Sequence, residues 1–218
     1  MKIEINGIHL NYEKIGIGKP LIFIHGNGEN HHTFDVLAES LKNEFTMYLI
    51  DSRNHGESSM TDSFHYMDMA NDVVSFIKAL NLVDVSLFGF SDGGIVGLMM
   101  ASFYPGSISK LVVAGANLFP SGLKKNELNL MIKEYEKTKN PYLKMMIDEP
   151  DLLDKDLHNI KIPTLVLAGE FDVIRRNHTM KIHRQIKHSK VQIIPLMNHD
   201  NYISNTTYLK SILIAFCK

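Results

Sequence analysis

Short apolar runs alternate with segments of helical spacing through most of this chain, and no other feature restricts its fold as much. Residues 21–24 and 85–88 are apolar at nearly every position, which is typical of strands covered on both faces of a sheet. Apolar side chains then recur at helical spacing in residues 34–42 and 91–104. This succession predicts an α/β fold in which helices flank both faces of a mostly parallel sheet.

The remaining predicted elements extend this sheet. Residues 2–6 and 8–14 flank the dipeptide Asn6-Gly7, which is typical of primed turns, and they predict an N-terminal antiparallel hairpin. Further strands are predicted at 47–50, 110–114, 164–168 and 191–194, and further helices at 67–80, 178–186 and 206–216.

In the middle of the chain the alternation of strands and helices is interrupted. Residues 118–160 contain two or three helical segments, within 124–139, 141–148 and 150–160. An insertion between two strands of an open sheet lies above the carboxyl ends of the strands, where such sheets bind ligands. We therefore expect a single domain, 1–218, with residues 118–160 as a small helical lid. The alternative is an ordinary crossover connection of greater length.

Composition restricts the partners and the compartment. The chain has 218 residues, of which 44% are hydrophobic, and a formal net charge of −1, as expected of one globular domain. The lack of a basic stripe argues against nucleic acid as a partner. The lack of an apolar run of ~18 residues argues against a membrane span. Cys217 is the single cysteine, which predicts a reducing, cytoplasmic location. Composition sets no oligomeric state.

The most informative motif lies directly between a predicted strand and a predicted helix, and its sequence is Gly89-Phe90-Ser91-Asp92-Gly93-Gly94. A serine in such a tight turn has a strained backbone that projects its hydroxyl from the sheet edge. The small glycines on either side let neighbouring backbones approach. This context predicts that Ser91 is a nucleophile, whereas the alternative is a serine that only caps a helix.

A serine nucleophile needs a base and an acid that orients the base. His199 follows the strand predicted at 191–194 and is the predicted base, while Asp172 follows the strand at 164–168 and is the predicted acid. Glu170, which is nearer the strand end, is the competing acid. Asp200 is adjacent to the histidine and therefore badly placed to reach the other ring nitrogen.

The other histidines fit a catalytic role less well. His178, His183 and His188 recur at helical spacing, which predicts solvated positions. His25 is expected to bond the backbone of its own loop. The adjacent pair His31-His32 suggests a metal site, but neighbouring residues on a helix point apart and no acidic or cysteine partner has suitable spacing.

The residues His25-Gly26-Asn27-Gly28 directly follow another predicted strand. Small residues on both sides allow the backbone N–H of Asn27 to turn into a cleft. Together with the backbone N–H of Asp92, it is predicted to form an oxyanion hole. The alternative is an ordinary glycine turn.

Several motifs occur in the same order as in a known family: HGNG at 25–28, DSRNHGES at 51–58, GFSDGG at 89–94, LVLAGEFD at 165–172 and NHDNY at 198–202. Over nearly its full length the chain resembles the α/β-hydrolase superfamily. The resemblance implies the Ser91, Asp172, His199 triad and structural roles for Asp51, Arg53 and Ser58. Asn54 departs from the family pattern, in which glycine is common.

The resemblance implies a serine hydrolase that needs neither a cofactor nor a metal. The serine argues against the dehalogenase and epoxide hydrolase branches, which carry aspartate there. We expect cleavage of a small, mainly apolar carboxylic ester or lactone through an acyl-enzyme, with Phe119, Met131 and Met146 of the insertion contacting the substrate. The alternatives are an amino-acid ester selected by Asp92, a carbon–carbon bond hydrolase, and a slow-turnover ligand receptor on the same fold.

Overall fold

The N-terminal hairpin forms as predicted in the computed structural model, which describes residues 1–218. Strand β1 (Lys2–Ile5) pairs antiparallel with β2 (Ile8–Ile15). Asn6 and Gly7 have φ angles of 47° and 75°, as a type I′ turn requires at both central positions. The local sequence therefore determines this turn.

The hairpin lies at one edge of an eight-stranded sheet with the order β1-β2-β4-β3-β5-β6-β7-β8. The hairpin strands are antiparallel to their neighbours, and all the other pairs are parallel. The fold class predicted from the alternation is confirmed. The further strands are β3 (Lys19–Ile24), β4 (Phe45–Ile50), β5 (Ser86–Phe90), β6 (Lys110–Ala114), β7 (Thr164–Gly169) and β8 (Ser189–Ile194).

Helices cover both faces of the sheet. One face packs against α1 (Asp35–Leu41) and α8 (Lys210–Cys217), and the other against α2 (Tyr66–Ala79), α3 (Asp92–Phe103) and α7 (Arg176–Gln185). Helix α8 begins four residues later than the prediction of 206, because residues 206–207 have no regular structure and residues 208–209 form a turn. No helix of the chain combines the length and the apolarity needed to cross a membrane.

The insertion, residues 118–160, contains three helices: α4 (Lys125–Thr138), α5 (Pro141–Asp148) and α6 (Asp154–Leu157). They differ in how they pack. Helix α4 has no buried residue, whereas Leu157 of α6 belongs to the main core beside α3 and α7. Helix α5 likewise contributes the buried Met145 to the main core. Consequently, only α4 stands apart from the layers that cover the sheet.

Candidate active site

The nucleophile turn joins β5 to α3. Ser91 has φ 52° and ψ −114°, a left-handed conformation that is costly for a residue with a side chain. A Cβ atom added to Gly93 would lie 2.1 Å from the carbonyl oxygen of Ile24, and one added to Gly89 would lie 2.1 Å from that of Gly93. The glycines on both sides of Ser91 are thus required by the close approach of neighbouring backbones.

The predicted base reaches the predicted nucleophile. His199 lies in the loop after β8, and its Nε2 atom is 3.1 Å from the hydroxyl oxygen of Ser91. The imidazole packs against the ring of Phe90, with 5.0 Å between the ring centroids. The neighbouring Gly115 leaves space for it, because a Cβ there would lie 2.6 Å from His199 Cε1.

The predicted acid completes the chain of contacts. Asp172 is 2% exposed, and its Oδ1 is 2.7 Å from Nδ1 of His199. The backbone N–H groups of Ile174 and Gly169 donate to Oδ1 and Oδ2 at 3.0 and 3.2 Å. Since a carboxylate only accepts, Nδ1 of His199 carries the proton and Nε2 is left to accept from Ser91.

The competing acids do not reach His199. Glu170 is exposed, and its carboxylate accepts from the backbone N–H of Leu196 at 2.9 Å. Asp200 is also exposed and has no contact with the imidazole nitrogens. The structure therefore brings together Ser91, His199 and Asp172, as the order of motifs predicted.

The two residues predicted to form the oxyanion hole lie side by side. The Asn27 amide donates to Oδ2 of Asp92 at 2.9 Å. The backbone N–H of Asn27 has no acceptor within the chain. Asp92 is the first residue of α3, where backbone N–H groups have no partner inside the helix. Neither N–H group thus has an acceptor within the chain, and both residues line the same cavity as Ser91.

Comparison with known proteins identifies the family of this chain. The family model described as alpha/beta hydrolase fold matches residues 19–144, more than half of the chain. This chain belongs to the α/β-hydrolase family. We therefore classify this chain as a hydrolase, since the family model matches it and its curated relatives include a serine hydrolase.

Three similar proteins illustrate the extent of the match. The serine hydrolase BPHL of Mus musculus is 29% identical and aligns over 93% of this chain and 80% of its own. The AB hydrolase superfamily protein YisY of Bacillus subtilis is 27% identical over 96% and 95% of the two chains. The esterase of Exiguobacterium antarcticum superposes with a TM-score of 0.85 at 20% identity, covering 98% of this chain and 97% of its own.

A cavity of about 550 Å³ opens above Ser91 in this hydrolase. Its floor includes Ser91, His199 and Asn27, and its upper wall comes from α4 and α5 of the insertion. Met131 and Met146, which we expect from the sequence to contact the substrate, are among the residues that line it. The other apolar lining residues are Phe90, Leu123, Leu130, Leu143, Val173 and Ile174.

Two predictions about side-chain environment differ from the structure. Phe119 does not line the cavity, because its ring packs edge-on against His178 at 4.6 Å between centroids. His178 is 3% exposed and thus not solvated, and its Nε2 accepts from the backbone N–H of Leu118 at 2.9 Å. Burial, aided by Arg175 and Lys181, lowers the pKa of His178 to about 4.

The motif at residues 51–58 forms hydrogen bonds that connect the loops around the site. The buried Asp51 carboxylate accepts from His31, Asn11 and the backbone of Glu57, and the Ser58 hydroxyl donates to the carbonyl oxygen of Asp51 at 2.6 Å. Burial acts to raise the pKa of the Asp51 carboxyl, yet these hydrogen bonds hold it below its usual value. The position of the motif is consistent with the structural roles expected of it.

Asn54 stands where the resemblance described in the sequence analysis leads us to expect glycine. Its φ angle is 65°, in the left-handed region that asparagine tolerates better than most residues. Its side chain also donates to the carbonyl oxygen of Ser63 at 2.8 Å. The substitution therefore preserves the backbone of the loop.

The adjacent histidines each form a hydrogen bond with a carboxylate. His31 donates to Asp51 through both its backbone and its ring, and the more exposed His32 bonds Asp35 at 2.9 Å. The chain has no group of three or more His, Cys, Asp or Glu side chains arranged to hold a metal ion. His25 bonds the backbone of Gly26 and Ser52, as expected.

Sequence reasoning missed several acidic groups of the site. Glu29 lines the cavity and accepts from the backbone of Gly26 at 3.0 Å and from the Thr33 hydroxyl. Burial raises the pKa of its carboxyl above the usual value. The position of Glu29, two residues after Asn27, could have indicated from the sequence that it lies at the site. Glu127 and Glu134 of α4 also line the cavity, but only the docking of α4 determines this.

Proposed function

We propose that this protein hydrolyses small, mainly apolar carboxylic esters or lactones through a covalent acyl-enzyme on Ser91. The observation that carries the proposal is the continuous contact from Asp172 through His199 to Ser91, at 2.7 and 3.1 Å. A serine hydroxyl becomes an effective nucleophile when an oriented imidazole can take its proton.

The reaction would proceed in two halves. In the first, His199 Nε2 takes the Ser91 proton while the serine oxygen attacks the carbonyl carbon, and the N–H groups of Asn27 and Asp92 stabilise the oxyanion. His199 then protonates the leaving alcohol, which departs. In the second half, His199 takes a proton from water, the hydroxide attacks the acyl-enzyme, and Ser91 recovers its proton as the acid leaves.

The lining of the cavity supports an apolar substrate. Eight of its lining residues are hydrophobic, and two of them are methionines, Met131 and Met146. Methionine adapts to irregular apolar shapes, so the cavity suits short to medium acyl or alcohol groups. The helices α4 and α5 would act as the lid, because they supply most of the wall opposite Ser91.

The test is hydrolysis of aryl esters and lactones of rising acyl length by the wild type and by Ser91→Ala. We expect multiple turnovers on short and medium acyl groups, and a loss of nearly all activity in Ser91→Ala with an unchanged fold. Ser102→Ala is the matched control, because this serine lies on the same helix α3 and its hydroxyl has no partner. Near-wild-type activity in Ser91→Ala would refute the proposal, and a single slow turnover would favour the ligand receptor.

A second candidate is an ester that carries an amine, such as an amino-acid ester. Its support is the charge of the cavity, which is lined by five carboxylates and by no lysine or arginine: Glu29, Asp92, Glu127, Glu134 and Asp200. A cationic ammonium group would be attracted to such a site. Aryl esters of alanine and of N-acetylalanine separate the two candidates. A large preference for the free amine, weakened in Glu127→Gln/Glu134→Gln, would favour the second.

A further inference from the structure

The two residues that carry the expected oxyanion donors are also joined through their side chains. Asn27 and Asp92 lie 65 positions apart in the chain, yet the Asn27 amide donates to Oδ2 of the Asp92 carboxylate at 2.9 Å. One main-chain hydrogen bond also joins these two loops, in which the N–H of Gly93 donates to the carbonyl oxygen of His25 at 3.1 Å. The side-chain bond is therefore the contact that acts on Asn27 itself.

A third residue holds the other oxygen of the same carboxylate. The Tyr66 hydroxyl donates to Oδ1 of Asp92 at 2.8 Å, and Tyr66 begins α2 with 1% of its surface exposed. Because a carboxylate can only accept, both neighbours must act as donors. In the resulting hydrogen-bond network, the Tyr66 hydroxyl and the Asn27 amide therefore both donate to Asp92.

Because the Asp92 carboxylate is buried, both of its oxygens need these hydrogen bonds. Asp92 is 4% exposed, and a buried carboxylate is costly unless its oxygens are hydrogen-bonded. Burial also raises the pKa of the Asp92 carboxyl, while the bonds from Asn27 and Tyr66 oppose the rise. A rotation of Asn27 away from Asp92 would leave a buried oxygen without a partner, so the loop is held in one orientation.

We propose that Tyr66 and the Asp92 side chain are positioning residues that hold the backbone N–H groups of Asn27 and Asp92 in register as an oxyanion hole. This rests on the proposed function, because the oxyanion arises only in acyl transfer. Oxyanion stabilisation depends on donors that are oriented before the reaction begins. With both of its oxygens bonded inside the protein, the Asp92 carboxylate therefore acts through the backbone it orients.

The decisive experiment exchanges the side chains of Asn27 and Asp92. Asn27→Asp sets two carboxylates against each other, whereas Asn27→Asp/Asp92→Asn restores one donor and one acceptor with reversed direction. The readouts are kcat and KM on a short-chain aryl ester, and the affinity of a trifluoromethyl ketone, whose adduct with a serine bears an oxyanion. We expect Asn27→Asp to lower kcat by about tenfold to a hundredfold with KM little changed. Ketone affinity should fall in parallel, and the exchanged pair should recover most of both.

A second variant keeps the inference testable if Asn27→Asp fails to fold. Tyr66→Phe removes one hydroxyl and keeps the ring, and we expect kcat and ketone affinity to fall by about fivefold or more with KM unchanged. Tyr104→Phe is the matched control, because its hydroxyl bonds Asn71 of the same helix α2 and Tyr104 does not line the cavity above Ser91. This control should retain wild-type kcat.

The outcomes separate this inference from the proposed function. Wild-type protein that neither hydrolyses esters nor binds the ketone would refute both. If the wild type is active, undiminished kcat in folded Asn27→Asp and Tyr66→Phe would refute the positioning role alone. A folded exchanged pair that recovers neither kcat nor ketone affinity would also refute it.

Discussion

The imidazole Nε2 of His199 lies 3.1 Å from the hydroxyl oxygen of Ser91, although 108 positions separate the two residues. Ser91 follows β5 and His199 follows β8, and these strands run parallel within one sheet. Because parallel strands end at the same edge, loops that are distant in the sequence meet there. The sheet thus supplies the geometry that an acyl-transfer site requires.

Removing the charge of the acid should impair turnover more than binding. In Asp172→Asn the side-chain amide can donate to Nδ1 of His199, which favours the tautomer that cannot take the Ser91 proton. We expect kcat to fall by roughly 10⁴-fold, as in other serine triads, with a small change in KM. Steady-state kinetics on an aryl ester provide the measurement.

Glu170→Gln is the control for this substitution. Glu170 is the competing acid of the sequence analysis and is bonded to the backbone of Leu196 instead of His199. We expect its kcat to stay near that of the wild type. A loss in Glu170→Gln comparable to that in Asp172→Asn would show that the acid is assigned to the wrong residue.

The sequence indicated that the side chains of Ser91, Asp172 and His199 would meet, because each follows a strand that is recognisable locally. Ser91, Asp172 and His199 each needed only a strand end and the rule that strand ends share an edge. The side-chain environments expected for Phe119 and His178 differ from the structure for a common reason. Whether an apolar ring faces a cavity, and whether a helix face is covered, depends on how the insertion docks on α7. That contact lies between elements and leaves no periodic signal.

Acid should destabilise the fold through buried neutral histidines. Burial lowers the pKa of both His25 and His178 to about 4, from a usual value near 6.5. Between these values the unfolded chain binds protons that the folded protein does not. The contribution of the two neutral histidines to the free energy of unfolding is therefore fully present above about pH 6.5, and it declines as the pH falls towards 4. Denaturant unfolding at pH 7 and pH 5 measures the decline.

The share of His178 in this decline can be isolated. His178→Gln keeps a side-chain oxygen able to accept from Leu118 N–H but removes the titrating group. We expect its loss of unfolding free energy between pH 7 and pH 5 to be smaller than that of the wild type by roughly 1–2 kcal/mol. The exposed His188, replaced as His188→Gln, should leave the wild-type pH dependence intact. An equal decline in all three proteins would contradict the assignment.

The buried ion pair behind the site should contribute to stability. Arg53 donates to both oxygens of Asp72 at 2.7 and 2.8 Å, and Asp72 is 1% exposed. Asp72→Asn would leave the buried guanidinium with only the more distant and more exposed Asp68, at 3.4 Å, as a counter-charge. We expect the free energy of unfolding to fall by about 3–5 kcal/mol, as measured by denaturant unfolding at pH 7.

A surface pair is the matched comparison. Asp84 contacts Lys19 at 3.0 Å, and both side chains are more than half exposed. Exposed pairs contribute little to stability, so Asp84→Asn should unfold close to the wild type. Similar losses in Asp72→Asn and Asp84→Asn would mean that burial of the Arg53 pair has no special importance.

Close packing at the nucleophile turn predicts intolerance of a single methyl group. A Cβ at position 93 would meet the backbone oxygen of Ile24 at 2.1 Å, whereas one at Gly7 would meet nothing within 4 Å. Gly93→Ala should displace the turn and abolish both ester hydrolysis and ketone binding. Gly7→Ala has an unfavourable φ and should cost about 1 kcal/mol of stability, with the activity of the folded protein retained. Wild-type activity in Gly93→Ala would contradict the turn geometry.

The central claim is that the hydroxyl of Ser91 is activated. It is tested most directly by treating the folded wild-type protein with a fluorophosphonate ester, followed by proteolysis and mass mapping of the adduct. The account predicts one stoichiometric adduct on Ser91, and none on that peptide in Ser91→Ala. A folded protein that takes no label, or that takes it at another residue with Ser91 unmodified, would contradict it.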